Sequence, residues 1–281
     1  MHLAQHLAVE FRSLVMRPSR TAHRDAVAKA GRAPQMSVFY HRVANTHPND
    51  WTLSNAQFER HLNHFEAEFE WIGLGTLQQR VAAPQCASLG MSITFDDGYA
   101  DNLDFAIPEL LRRRIPTTYF VSSGHVRSGR PFLHDQECGV PLAVNTPKHI
   151  REIADAGIEI GGHTRDHIDC GSCESAAKLG DQIRRDKLDL EDMIGRPVRF
   201  FAFPFGTPRQ ITPAAIRCVA DAGYKGFCSA FGGYNLLGRG AFHIRRFHGD
   251  PSFGRILNWT SFDPGKIESE PAIDYPAALK T

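Results

Sequence analysis

From residue 36 onward, short β-rich runs alternate with helical stretches, and this alternation limits the fold more than any other feature. The runs "MSVFYHRV" (36–43), "MSITF" (91–95), "PTTYFV" (116–121), "IEIGGH" (158–163), "RFFAFPFG" (199–206) and "YKGFCSA" (224–230) read as strands. Between them, "NAQFERHLNHFEAEF", "FAIPELLRRR", "TPKHIREIADAG", "ESAAKLGDQIRRDKLDLEDMIG" and "TPAAIRCVADAG" carry helical patterns. Strands that alternate with helices predict an α/β protein with a parallel sheet, closed as a barrel or doubly wound. In either case the chemistry collects at the carboxyl ends of the strands. Residues 125–147, which include Gly129, Pro131, Gly139, Pro141 and Pro147, read as a long loop over that face.

The chain of 281 residues, 42% hydrophobic and 22% charged, supplies one sizeable core. A net charge of +1 with no long basic run argues against nucleic acid as a partner. No window is apolar enough to span a bilayer, and no export signal of standard form is recognisable at the N-terminus. Six scattered cysteines fit a reducing compartment, so a cytoplasmic location is expected. Three regions are expected: a basic segment at 1–34, a catalytic domain at 35–262 and a tail at 263–281 that wraps the surface or frays. In the first, Leu3, Leu7, Phe11, Leu14 and Val15 recur at helical spacing among Arg12, Arg17, Arg20, Arg24, Lys29 and Arg32. A docked helix or loose arm is favoured there over a weak membrane-surface anchor.

Asp96 and Asp97 follow the strand "MSITF", and Gly98 permits a sharp turn after them. Adjacent carboxylates repel unless a cation compensates, and one of the pair ligating a metal while the other moves protons resolves the conflict. An isolated Asp-Asp-Gly is more often a solvated turn. His163 and His167, in "IEIGGHTRDH", end another strand at a four-residue offset. On a helical turn that offset puts both rings on one face. With Asp97 they make three metal ligands and leave positions open, the pattern of a catalytic site.

"TFDDG" (94–98) and "HTRDH" (163–167), in this order, resemble the first two motifs of the NodB-homology polysaccharide deacetylases, the fourth carbohydrate esterase family. "FAFPFG" (201–206) resembles its third motif, and the resemblance covers about residues 36–250. It implies a distorted (β/α) barrel of about seven strands and metal-dependent removal of acetyl groups from an N-acetylated glycan. On this chain it implies Asp96 as general base and Asp97, His163 and His167 as ligands of zinc, with cobalt or manganese as alternatives. Thr164 would brace the histidine loop, and Pro204, Phe205 and Gly206 would form a substrate wall, with a backbone N–H near Phe205 facing the oxyanion. Phe203 is expected in the core.

Ala202 stands where the family's third motif usually places an arginine that holds the base, and no fourth Asp-Trp motif is recognisable. The pattern is closer to the exopolysaccharide branch that deacetylates poly-N-acetylglucosamine, whose "YHRV" element makes His41 the expected general acid. His248, in the late strand "HIRRFHGD", is the competing acid, and Arg246, before Arg245, is the expected substitute partner for Asp96. "CGSC" (170–173) is a weak metal or redox signal without a second pair. His61, His64, His125, His134 and His149 are expected on the surface or on helix faces, and His134 and Asp135 could touch substrate. Two rival readings are hydrolysis of a small non-polymeric amide and a glycan-binding protein without turnover.

Overall fold

The computed structural model describes residues 2–277, with side chains from residue 15 onward. Six strands lie parallel and side by side in chain order: β1 (Gln35–Tyr40), β2 (Gly90–Phe95), β3 (Thr117–Val121), β4 (Glu159–Gly162), β5 (Phe200–Ala202) and β6 (Gly226–Cys228). Helices cover the outside, so β1, β2 and β3 are buried along their whole length. That double burial is why these strands read as continuous apolar runs rather than alternating ones.

The sheet then closes through short pieces. β7 (Tyr234–Asn235) pairs antiparallel with the start of β1, β8 (His243–Ile244) pairs parallel with β6, and β9 (Phe247–His248) pairs parallel with the end of β1. Only Arg245 and Arg246 separate β8 from β9, so this dipeptide carries the chain across the seam of a nearly closed barrel. With Glu70–Trp71 added beside β2, the sheet holds ten strands, more than the seven expected, because the late chain contributes three short ones.

Helix α1 (His2–Lys29) precedes the barrel. The connections carry α2 (Asn55–Glu68) and α3 (Leu74–Ala82), then α4 (Ala106–Arg112), then α5 (Ser123–Ser128), α6 (Leu133–Glu137) and α7 (Pro147–Asp155), then α8 (Ala176–Ile194) and α9 (Pro213–Asp221). Two more, α10 (Phe253–Thr260) and α11 (Pro264–Glu268), follow β9. Helix starts follow their sequence signals: Ser54 and Gln57 make a reciprocal capping box on α2, and Thr212 caps α9 with Pro213 at its first turn. The main core gathers Tyr40, Phe58, Phe65, Phe95, Ile183 and Leu190, all fully buried.

Several expectations change here. The segment 125–147 is not one loop, since α5, ended by left-handed Gly129, and α6 interrupt it. Arg17 and Arg24 both reach Glu68, at 2.6 and 2.7 Å, and Arg20 reaches Asp263 at 2.9 Å. These arginines therefore face the protein's own carboxylates as α1 packs on α10. Leu3, Leu7, Phe11 and Leu14, which carry the membrane-surface expectation, lie outside the residues whose side chains are described. Among the described residues no helix is long and apolar enough to cross a membrane. The tail is docked: Glu270 accepts from Arg239 at 2.9 Å and from Arg245 at 2.5 Å, and the Tyr275 hydroxyl lies 2.6 Å from His243 Nδ1. His61 and His125 lie on helices α2 and α5, on faces turned into the protein, His61 with its Nδ1 3.2 Å from the Tyr40 hydroxyl.

The pair Gly161–Gly162 shows how tightly β4 is enclosed. A Cβ at Gly161 would stand 2.3 Å from the Phe120 ring, and one at Gly162 would stand 2.2 Å from the Tyr224 hydroxyl and 2.8 Å from Asp186. Gly161→Ala is expected to lower stability by about 1–3 kcal/mol, the usual cost of overpacking, read from urea unfolding. An unchanged midpoint would show that the sheet yields at this point.

Candidate metal centre and active site

The end of β2 turns at once. Asp96 N donates to Tyr40 O at 2.8 Å, Gly98 N donates to Asp96 O at 2.9 Å, and Asp97 between them has φ 74°. Gly98 follows at φ 88°, a conformation that glycine adopts freely. The left-handed turn sends the two carboxylates to different partners. An uncommon φ at a non-glycine residue here belongs to the site's design.

Asp96 is held by Arg246. The guanidinium donates from Nη1 to Oδ1 at 2.7 Å and from Nη2 to Oδ2 at 2.8 Å, a parallel two-bond fork. Two further N–H groups reach Thr94 Oγ1 and Ser229 O, both at 2.9 Å, and Cζ lies 4.7 Å from the Phe39 ring centre. Burial would raise the Asp96 carboxyl, but Arg246 holds it below the usual carboxylate range. Arg245 takes the opposite direction, outward to Glu270. The seam thus delivers an arginine to the place that Ala202 leaves without one.

Asp97 meets the histidines. His163 Nε2 and His167 Nε2 each lie 3.2 Å from Asp97 Oδ1. These distances do not come with hydrogen-bonding angles, and Oδ1 is a buried acceptor with no donor. Burial pushes this carboxyl up, yet His167 and His163 hold it well below the ordinary range. The three ligand atoms lie within 4.8 Å of one another. A buried, unsatisfied carboxylate oxygen facing two imidazole nitrogens fits a divalent cation, and two nitrogens with one oxygen suit zinc.

The four-residue spacing of the histidines works differently from expectation. Residues 163–167 form no helix; Thr164 and His167 both adopt positive φ, 58° and 51°, and the resulting loop brings the rings to 5.1 Å between centres. Thr164 is fully buried, its Oγ1 accepts from Ile168 N at 3.1 Å, and it braces the loop without facing the cavity. His163 is fixed twice: its Nδ1 lies 2.8 Å from Ala202 O, and its backbone N donates to Asp186 Oδ2 at 2.8 Å. The contact with Ala202 O assigns the proton to Nδ1 and leaves Nε2 free as a ligand. The motif-three residue that lacks an arginine side chain still serves the site through its carbonyl.

These groups open into a cavity of about 810 Å³ at the carboxyl ends of the strands. His41 and His248, the two candidate acids, both line it with ring centres 6.1 Å apart. Burial lowers the His41 imidazole while Asp97 and Asp96 pull it up, and its buried Nδ1 has no partner. Burial and the neighbouring His41 bring His248 down to about 4. Phe205 stands exposed on the wall at φ 62°, its ring 5.3 Å from His167. Pro204 and Gly206, expected beside it as wall residues, are buried and form the turn that presents Phe205, with Gly206 N donating to Pro204 O at 2.7 Å. Phe203, expected only in the core, also reaches the cavity.

Other wall residues gave no clear signal in sequence. Trp51 packs 4.7 Å from His41 on a loop clamped by fully buried Arg42, which donates to His47 O, Thr46 O and Thr52 Oγ1 and pairs with Asp101 at 2.5 Å. A charged residue inside the run "YHRV" was the only hint. Across the cavity, the Tyr99 hydroxyl donates to Asp135 Oδ2 at 2.8 Å and lies 2.9 Å from His134 Nε2. This fixes the 125–147 segment as a wall, and His134 and Asp135 line the cavity.

Fold and site together define a cleft at the mouth of an α/β barrel in which Asp97, His163 and His167 could hold one metal ion. Residues 88–227 match the polysaccharide deacetylase family model, and the chain belongs to that family. YxkH of Bacillus subtilis (strain 168), whose name assigns it to the polysaccharide deacetylases, is 26% identical over 175 residues, 57% of this chain and 55% of that protein. The chain thus spans about half the length of this curated relative. Among solved structures, IcaB from Ammonifex degensii has a TM-score of 0.67 at 21% identity, over 81% of this chain and 97% of that one. The Streptococcus pyogenes deacetylase PplD, in complex with acetate, gives 0.68 at 17%, over 83% and 100%. At these identities the likeness establishes the fold.

Chelator-stripped protein titrated calorimetrically with zinc is expected to bind one ion per chain. Asp97→Ala or His163→Ala should weaken that binding by more than the roughly 10–100-fold that loss of an outer partner costs. Equal zinc affinity in these variants would place the ion elsewhere.

Proposed function

We propose that the protein is a divalent-metal-dependent N-deacetylase acting on N-acetylated sugar units of a polysaccharide or lipid-linked glycan, with zinc as its ion. The observation that carries this reading is the unsatisfied Asp97 Oδ1 between two histidines, directly beside an Asp96 locked as a carboxylate by Arg246. Family membership supports the glycan as substrate class. In this reading residues 35–262 hold the catalytic domain, between the segments 1–34 and 263–281.

A cation on Asp97, His163 and His167 would supply Lewis acidity that polarises an amide carbonyl and acidifies water. Asp96 takes the proton from the attacking water as its oxygen bonds to the carbonyl carbon. His41 gives a proton to the sugar nitrogen as the C–N bond breaks, and acetate and a free amine result. Burial lowers both imidazoles, and His41 is preferred over His248 because Asp97 and Asp96 both act on it, with Asp97 the larger electrostatic influence. Phe205 and Trp51 offer faces for the sugar ring across the cavity. The binding-only alternative rested on the missing motif-three arginine, and Arg246 on Asp96 removes that argument. All six cysteines are free thiols, which accords with a reducing, cytoplasmic compartment.

Acetate release from N-acetylglucosamine oligomers should vanish on chelation and return with zinc. Asp96→Asn should lose about 10²–10⁴-fold in rate while still binding one zinc, and His41→Ala should lose more than His248→Ala. Full activity in Asp96→Asn would refute the assignment of the base.

A further inference from the structure

A second cavity, of about 640 Å³, shares Ala230 and His248 with the first and extends the cleft under the docked tail. Its charged lining resolves almost completely into pairs. Arg246 is committed to Asp96, Arg255 holds Asp250 at 2.8 Å, and Glu270 is bound by Arg239 and Arg245. Asp263, beside the cavity on the tail, is taken by Arg20 at 2.9 Å.

Lys266 is the exception. Its Nζ lies 3.3 Å from the centre of the Trp259 ring, whose orientation is fixed by stacking on Phe247 at 5.4 Å. Among the described residues no carboxylate comes within ion-pair distance of that ammonium, and no acceptor takes a hydrogen bond from it. Burial draws the Lys266 ammonium down to about 8, as expected for a partly desolvated cation without an anion at contact. An aromatic face holds the charge in place but leaves its N–H donors unspent.

We propose that this cavity is an anion-binding subsite in which Lys266 meets an anionic group on the glycan, so that the substrate carries a carboxylate or phosphate next to the sugar that is deacetylated. The inference rests on the deacetylase reading for its reaction, though not for its binding. His248 then stands between the reacting amide and the anion, where it separates the two subsites. A charge-assisted contact to a fixed, half-buried ammonium is strong enough to rank substrates.

The test compares kcat/KM for acetate release by the zinc-loaded full chain on three matched N-acetylglucosaminyl substrates: neutral, glucuronate-bearing and phosphate-bearing. At least one anionic substrate is expected to exceed the neutral one by about tenfold. Lys266→Gln should bring that ratio close to one, and Lys148→Gln, at an exposed side chain of α7, should preserve it. The arm that responds identifies carboxylate or phosphate as the source of charge. A ratio near one in the wild type, or a preference that survives Lys266→Gln, would overturn the proposal. If none of the three releases acetate, the deacetylase reading fails, and calorimetric binding of the same saccharides decides the subsite. Anionic preference lost in Lys266→Gln supports it, and equal binding of all three overturns it.

Discussion

The fully buried ion pair between Arg246 and Asp96 is the interaction on which the site depends. Two neighbouring carboxylates inside a barrel mouth are untenable without compensation, since an unpaired charge at such depth costs several kcal/mol. The chain divides the problem: Asp96 is neutralised by a guanidinium from the barrel seam, and Asp97 is left for two histidines and the cation they fit. Because Arg246 also donates to Thr94 and Ser229, it joins β2 to the end of β6 as it holds the carboxylate. Removing the arginine would leave Asp96 as an uncompensated buried charge, a loss of about 3–5 kcal/mol in comparable pairs. One side chain therefore serves both the barrel seam and the charge on Asp96.

Around this centre the walls are held by polar hubs rather than by regular structure. Arg42 fixes the loop that carries Trp51, while Asn102 accepts from Val43 N and donates to His41 O, so the candidate acid is tethered through its backbone. On the opposite side Tyr99, Tyr119 and Asn145 link the end of β2 to the segment that bears His134 and Asp135. Phe132 stacks on His125 at 4.3 Å and meets His167 edge-on at 5.1 Å, which couples that wall to His167. Asp186 receives the backbone N–H groups of both Ser123 and His163, and burial pushes its carboxyl up to about 7. Loops so tied keep a cleft preformed, which lowers the cost of ordering it around a substrate.

The alternation of strands and helices was legible because parallel strands buried on both faces leave unmistakable apolar runs, and helix caps such as Ser54 and Thr212 mark their own positions. "TFDDG" and "HTRDH" were legible as partners only in combination, since each follows a strand end, and Asp97, His163 and His167 converge with ligand atoms within 4.8 Å of one another. The mechanism of the histidine spacing was not: local sequence suggests a helical turn, whereas Thr164 and His167 are left-handed and His163 is tied to Ala202 and Asp186. The seam was legible only as one late strand, "HIRRFHGD"; its division into β8 and β9 was not, since each is two residues long and carries no periodicity. Burial of His61 and His125 escaped because a histidine on a helical pattern does not reveal which neighbour it will meet. The tail's docking rests on Glu270 and Tyr275, single residues whose partners lie more than twenty positions away.

The central claim is that Arg246 keeps Asp96 ionised as the base. The most direct measurement is the pH dependence of kcat/KM for zinc-loaded wild type and Arg246→Gln, with zinc stoichiometry confirming that the variant site is intact. Arg246 lowers the Asp96 carboxyl, so its loss should raise it, and the acidic limb of the profile should move to higher pH. An acidic limb that stays in place, with only the plateau rate reduced, would contradict the account and assign Arg246 to architecture alone.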